Sequence, residues 1–169
     1  LLLLIALRSE LTRFIEVIRK GVIAATSTRE RAILSAFYSL IVLVLIVRAS
    51  SPPWAVDELI YHLPATKLFV EAGRIYPLYH QPLGNMPFLI HMIYAVCLLA
   101  HSDIAAKLFS LLLTLVTSIA LYAFCVRFLT RTAGVVAMFG FLSACMVVEV
   151  GVSTRIDVSL AGMLFVATY

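Results

Sequence analysis

The chain has 169 residues, of which 63% are hydrophobic and only 13% are charged, and its mean hydropathy is +1.06. Soluble domains average about 45–50% apolar and about 25% charged residues, so a soluble globular or disordered protein is excluded. The net charge is +4, and six of the 13 basic residues lie in the first 31 positions. This asymmetry points to an anionic membrane surface rather than to nucleic acid. We therefore expect a membrane protein.

The basic segment, residues 1–31, carries apolar residues at helical spacing and predicts an amphipathic helix on the cytoplasmic surface. A membrane span needs about 20 residues, so the chain has room for about four spans and their loops. It begins at Leu1 and ends inside an apolar run at Tyr169. We therefore expect it to be a piece of a longer protein.

Apolar runs predict spans at residues 32–49, 104–126 and 133–150, and the start of a further span at 156–169. The loop between the first two spans, residues 50–103, contains a shorter run at 87–100. If this run crosses the membrane, Arg127 and Arg131 lie outside, against the positive-inside rule; if it is re-entrant, they lie in the cytoplasm. We favour the second topology. The predicted fold is an all-α polytopic helix bundle with amphipathic juxtamembrane helices in the first outer loop.

The first part of this outer loop predicts a helix lying along the membrane surface. Pro52 and Pro53 end the span before it, Pro64 kinks or restarts it, and Gly73 ends it. One helical face is apolar: Val56, Leu59, Ile60 and Leu63. The other face is polar, and we expect it to be turned to water: Asp57, Glu58, Tyr61 and His62.

Few charged residues lie beyond the basic segment, and three places among them are candidates for chemistry. The adjacent carboxylates Asp57 and Glu58 are either a solvated face or a general base or metal ligand in a cleft at the membrane surface. Asp157 is either the partner of Arg155 in an ion pair or a second acid of that cleft. Lys107 either snorkels towards lipid phosphate or binds the phosphate of a lipid-linked substrate.

Cysteine and histidine give no metal site. Cysteines occur inside apolar runs without ligand spacing and are expected to be buried small hydrophobes: Cys97, Cys125 and Cys145. The histidines fit no zinc-ligand spacing: His62, His80, His91 and His101.

Several short motifs in order resemble the GT-C glycosyltransferases, most closely the protein O-mannosyltransferase-like and lipid A aminoarabinose transferase groups of family 39 type. A basic N-terminus and one span precede D-E-L-I-Y-H-L-P, N-M-P and a short apolar helix, and A-A-K-L-F and R-I-D-V-S-L follow. The resemblance covers roughly residues 30–169 and depends on the order and spacing of these motifs. It implies an enzyme that takes a sugar from a polyprenyl-phosphate donor and passes it, with inversion, to an acceptor on the outer face.

The resemblance also implies residue roles. Asp57 would be the general base or acceptor-orienting carboxylate, Glu58 would shape the same pocket, and Asp157 would face Asp57 across the cleft. Lys107 would hold the donor phosphate. Asn85 stands where some relatives carry a cation, so donor contacts there stay open. Further residues expected at the substrate site are Tyr61, His62 and Arg155.

Family members differ in needing a divalent metal, so Mg²⁺ or Mn²⁺ near the acidic residues stays open. The expected partners are the polyprenyl-phosphate sugar donor, membrane lipid and an acceptor that is protein, lipid or polysaccharide. We expect no nucleic acid partner. The expected location is a bacterial inner or plasma membrane, with the active face outside. The alternative is a transporter or channel that uses Asp57, Glu58 and Asp157 as an ion or proton path.

Overall fold

The structure, a computed structural model, describes residues 27–85, 89–100 and 102–168. Within these ranges the chain forms helices and no strands, which confirms the all-α prediction. The predicted amphipathic helix in residues 1–31 lies almost entirely outside the described residues. Seven α-helices follow in order: α1 Thr28–Ala49, α2 Leu63–Ala72, α3 Leu89–Leu99, α4 Asp103–Phe128, α5 Arg131–Ser143, α6 Cys145–Gly151 and α7 Asp157–Thr168. A π-helical turn, Glu58–His62, runs directly into α2, and a 3₁₀ turn, Pro82–Asn85, precedes α3.

Hydroxyl side chains begin three of these helices by accepting a backbone hydrogen bond that the first turn leaves without a helical partner. Ser27 accepts from Glu30 N at 3.2 Å, and the Glu30 carboxylate accepts from Ser27 N at 3.3 Å, which completes a capping box at α1. Ser102 caps α4 and Thr130 caps α5 in the same way. These local signals set where the long helices begin.

Two described helices, α1 and α4, are long and apolar enough to cross a membrane. The pair α5 and α6 reaches that length only as one span broken by a 66° bend, and α3 and α7 are shorter apolar helices. The predicted span at residues 133–150 therefore corresponds to a bent pair rather than a straight helix, with the break at Ala144. These two helices support a membrane protein.

Helix α4 is the central element, since α1, α3, α5, α6 and α7 all pack against it. One apolar core joins α1, α4, α5 and the turn before α7 through Leu45, Ala49, Leu111, Leu142 and Val152. Glycines allow α6 and α7 to approach α4 closely. A Cβ placed on Gly151 would lie 2.7 Å from Thr114 Oγ1, and Gly162 is in similarly close contact with Thr117. Most apolar side chains of α1 are exposed, as expected for a lipid-facing helix.

Candidate functional site

The π-helical turn at the start of the outer loop positions the candidate acids. The N–H of Leu63 donates to the carbonyl of Glu58, five residues earlier, which makes this turn wider than an α-helical turn. Pro64 follows at the first turn of α2 and has no N–H, so it cannot donate to a carbonyl of the preceding turn. The Ile60 carbonyl instead accepts from Gln81 Nε2 at 3.1 Å. A side chain from the next loop thus supports the turn.

The orientation of this turn differs from the prediction. Glu58 is 0% and His62 4% exposed, so half of the polar face is turned into the protein rather than to water. The expected apolar face is split, since Leu63 is buried and the remaining members are exposed: Val56, Leu59 and Ile60. For a helix at the edge of a membrane, exposed apolar side chains meet lipid, so the polar residues can turn inward to hydrogen-bond partners.

Glu58 is held by four hydrogen-bond donors. Its Oε1 accepts from the backbone N and the Oγ1 of Thr154, at 3.0 and 3.1 Å. Its Oε2 accepts from the backbone N of Trp54 and Ala55, at 3.2 and 3.4 Å. Such donors offset the cost of burying a carboxylate. Glu58 therefore joins the outer loop to the buried turn before α7, and both of its oxygens are enclosed by donors of the chain itself.

Lys107 is also buried and engaged with the chain itself. Its Nζ donates to the carbonyl of Ser51 at 2.7 Å, the carbonyl of Pro52 at 3.3 Å and the hydroxyl of Ser51 at 3.4 Å. An ammonium has three N–H donors, so these three oxygens match its capacity. The side chain is 0% exposed, which disfavours the alternative that it snorkels to lipid phosphate, and its engaged donors disfavour the alternative that it binds the donor phosphate. Lys107 instead joins the end of α1 to the beginning of α4.

Asp57, the neighbour of Glu58, has the opposite environment. Its side chain is 44% exposed, and its Oδ2 lies 3.3 Å from Nε of Arg155, whose side chain is 20% exposed. An ion pair between Arg155 and Asp157 was one of two alternatives, and the structure pairs Arg155 with Asp57. The hydroxyl of Tyr94 on α3 donates to the Arg155 carbonyl at 3.3 Å, which fixes the backbone beneath the guanidinium.

Asp157 begins α7, two residues after Arg155, and lies in the same environment as Asp57 and Arg155. Burial raises the pKa of Tyr61, the charges of Asp57 and Asp157 raise it further, and Arg155 opposes them. Both carboxylates therefore lie within electrostatic reach of one phenol. We call Asp57, Tyr61, Arg155 and Asp157 the Asp57 cluster. It brings together four predicted site residues, two from the outer loop and two from the segment 155–157, and both of its carboxylates are accessible.

His62 lies behind the Asp57 cluster in a buried pair with His91 of α3. His62 Nδ1 and His91 Nε2 are 2.9 Å apart, so one ring donates and the other accepts. Burial lowers the pKa of His62 to about 4, His91 and Arg155 lower it, and Asp57 opposes them. The neutral pair fixes the π-helical turn against α3. His62 was expected at the substrate site, but its ring faces the protein interior.

Asn85 closes the loop that precedes α3. Its Oδ1 accepts from Leu78 N at 2.9 Å, and its Nδ2 donates to the carbonyls of Leu78 and Gln81 at 3.0 and 3.4 Å. The amide is therefore used to shape the turn that carries Gln81. The structure does not bring it together with the Asp57 cluster through any described contact.

A divalent metal finds little to bind in the described part of the chain. No group of three His, Cys, Asp or Glu side chains there is arranged to hold an ion, and Asp57 already has a cationic neighbour. We therefore derive no step through a metal. The three cysteines are free thiols, and they do not share one environment: Cys125 is buried, Cys97 is intermediate and Cys145 is exposed.

Comparison with known proteins leaves the function to be argued from these residues. No family model matches the chain, and no curated protein or solved structure matches it significantly. The arrangement of the Asp57 cluster and its supports is therefore the basis for the functional argument.

Two functional supports were missed by the sequence reasoning. Thr154 is one of them, and no signal in the sequence relates it to Glu58, 96 residues away. His91 is the other; it lies in the apolar run 87–100 and was considered from the sequence only as a zinc ligand. A buried histidine in such a run needs a polar partner, and that requirement could have suggested the pairing with His62.

Proposed function

We propose that this chain carries the front part of an integral-membrane glycosyltransferase site, which moves a sugar from a polyprenyl-phosphate donor to an acceptor hydroxyl on the outer face. The observation that supports it best is the Asp57 cluster: an accessible carboxylate, positioned 3.3 Å from a guanidinium, in the loop that follows a long apolar helix and beside a second acid. A general base must be reachable by its substrate, and Asp57 meets that condition whereas Glu58 does not.

The proposed step is a nucleophilic substitution at the anomeric carbon of the donor sugar. The Asp57 carboxylate takes or polarises the proton of the acceptor hydroxyl, and the acceptor oxygen forms a bond to the anomeric carbon. The bond between that carbon and the phosphate oxygen breaks, and polyprenyl phosphate leaves with the electron pair. Attack from the side opposite the leaving group inverts the anomeric configuration.

The other residues of the cluster have roles that follow from their contacts. Arg155 orients Asp57 by its charge, and Tyr61 and Asp157 border the space in which an acceptor hydroxyl would lie. Glu58 and Lys107 support the site without touching the substrate, because their polar atoms are hydrogen-bonded to the protein itself. The phosphate of the donor is then left to cations outside these contacts.

The experiment is replacement of Asp57 by Asn in the full-length protein, with transfer measured from membrane extracts that contain lipid-linked sugars. Loss of a general base typically costs 10²–10⁴-fold, so we expect transfer to fall by about a hundredfold or more. The matched control is Arg74→Gln, which neutralises an exposed charge just after α2 and outside the cluster. Unchanged transfer in folded Asp57→Asn protein would contradict the assigned role. Mass spectrometry of the glycoconjugates that change in a deletion strain would identify the sugar and the acceptor.

A further inference from the structure

A cavity of about 510 Å³ opens beside α2. Its walls come from α2, the end of α3, the beginning of α4 and the prolines that follow α1. No member of the Asp57 cluster lines it. The cavity therefore needs an explanation separate from the proposed transfer reaction.

The position of the cavity relates it to the membrane surface. Lys107 holds the end of α1 against the beginning of α4, and Pro53 and Asp103 beside those two helix ends both line the cavity. Because α1 and α4 are the helices long and apolar enough to cross a bilayer, their ends lie near the boundary of its hydrocarbon core. The cavity is therefore at the level of lipid headgroups.

Charged side chains of both signs line this cavity. Lys67 Nζ lies 2.8 Å from Asp103 Oδ2, and the two side chains are 47% and 30% exposed, so each can accept a further partner. Glu71, one turn along α2 from Lys67, adds a second carboxylate to the lining. One cation and two anions match a ligand that carries a phosphate and an ammonium, and they disfavour a ligand with net negative charge.

Apolar residues complete the lining. Val70, Leu98 and Ile104 form the wall beside the charged side chains. A soluble phosphate ester would gain nothing from this wall, whereas the first carbons of acyl chains would bury apolar surface against it. The combination of charges and wall therefore favours a phospholipid over a soluble metabolite.

We propose that this cavity binds the headgroup of a zwitterionic phospholipid with a primary ammonium, as in phosphatidylethanolamine. The phosphate lies on Lys67, and the ammonium donates hydrogen bonds to Glu71 and Asp103. A quaternary ammonium has no N–H to donate, so a choline headgroup cannot make these bonds. An anionic glycerol headgroup supplies no cation for the two carboxylates.

The test uses the chain reconstituted in bilayer nanodiscs that contain equal amounts of phosphatidylethanolamine, phosphatidylcholine and phosphatidylglycerol. After extraction in mild detergent, the lipid retained by the protein is quantified by mass spectrometry. We expect about threefold enrichment of phosphatidylethanolamine over each of the other lipids, since partly exposed ion pairs are worth less than about 1 kcal/mol each. Lys67→Gln and Glu71→Gln should each remove the enrichment.

Arg74→Gln is the matched control, since it removes an exposed cation just after α2 that does not line the cavity, and it should leave the enrichment unchanged. If Lys67→Gln prevents insertion, Glu71→Gln alone decides, because this exposed side chain can be neutralised without disturbing packing. Equal retention of all three lipids, preference for phosphatidylglycerol, or enrichment that survives Glu71→Gln would each overturn the proposal.

Discussion

Asp57 and Glu58 are adjacent in sequence, yet they belong to two different regions of the molecule. Glu58 lies in a closed region where four donors from the chain surround its carboxylate. Asp57 lies in an open region, 44% exposed and facing a single guanidinium. The difference shows that the same chemical group can fix the fold or remain available for chemistry, according to how many of its hydrogen bonds the protein itself supplies.

Lys107 is a second buried charged residue of the closed region. Together with Glu58 it holds the outer ends of the helices in place. Lys107 fixes the end of α1 to the beginning of α4, and Glu58 fixes the outer loop to the turn before α7. Lys107 and Glu58 thus hold the helices and the loop around the Asp57 cluster, while the cluster itself stays accessible.

The largest expected effect is on the free energy of unfolding, which replacement of Glu58 should lower much more than replacement of Asp57. Glu58→Gln keeps the shape but places an amide NH₂ against backbone donors, either those of Trp54 and Ala55 or those of Thr154. Breaking a buried charged network typically costs 3–5 kcal/mol, so we expect the free energy of unfolding to fall by about 3 kcal/mol. Denaturant titration in detergent measures this. Asp57→Asn, on the adjacent residue, should cost less than about 1 kcal/mol. Equal losses in the two variants would contradict the comparison.

The second effect concerns pH and the buried pair behind the cluster. The pKa of His62 is about 4 in the folded protein and about 6.5 in an unfolded chain, so the unfolded chain binds more protons between these values. Stability should therefore be constant above about pH 7 and decrease by about 2.5 kcal/mol as the pH falls from 6.5 to 4. Thermal unfolding against pH measures the slope.

His62→Gln is the control for this pH effect, since glutamine retains a donor and an acceptor but does not titrate. The groups that face the His62 ring are His91, Asp57, Arg155 and the Tyr61 ring. They remain in the variant, so any slope that they produce remains as well. An undiminished slope in His62→Gln would show that His62 is not the group responsible.

The smallest stability effect is expected at Arg155, where the open region should respond in activity instead. The Arg155–Asp57 pair is partly exposed, so Arg155→Gln should lower the free energy of unfolding by less than about 1 kcal/mol. If the guanidinium orients Asp57 for catalysis, transfer should nevertheless fall by about tenfold. A loss of stability as large as that of Glu58→Gln, or unchanged transfer, would remove the distinction between the two regions.

The sequence allowed the helices and their ends to be predicted, because those features depend on local chemistry. Hydropathy located α1 and α4, prolines ended the first span, and Gly73 ends α2 with the positive φ of 62° that glycine adopts without strain. The bend at Ala144 was not predictable in this way, since neither proline nor glycine lies at the break.

The candidate site was predictable only in part. All four residues of the Asp57 cluster were named from the sequence. The pairing of Arg155 with Asp57 was not predicted. Which carboxylate turns inward could not be predicted, because the apolar residues of a helix at a membrane edge can face either lipid or protein. The decision depends on donors such as Thr154, which lie far away in the sequence.

The wide turn before α2 gives the whole arrangement a narrow tolerance to insertion and deletion. Successive residues of a helix are about 100° apart around its axis, so a shift of one residue exchanges the buried position of Glu58 for the exposed position of Asp57. A chain with one residue fewer between Glu58 and Pro64 would turn a different side chain towards Thr154. Length in this segment is therefore as much a determinant of the chemistry as the identity of the acids themselves.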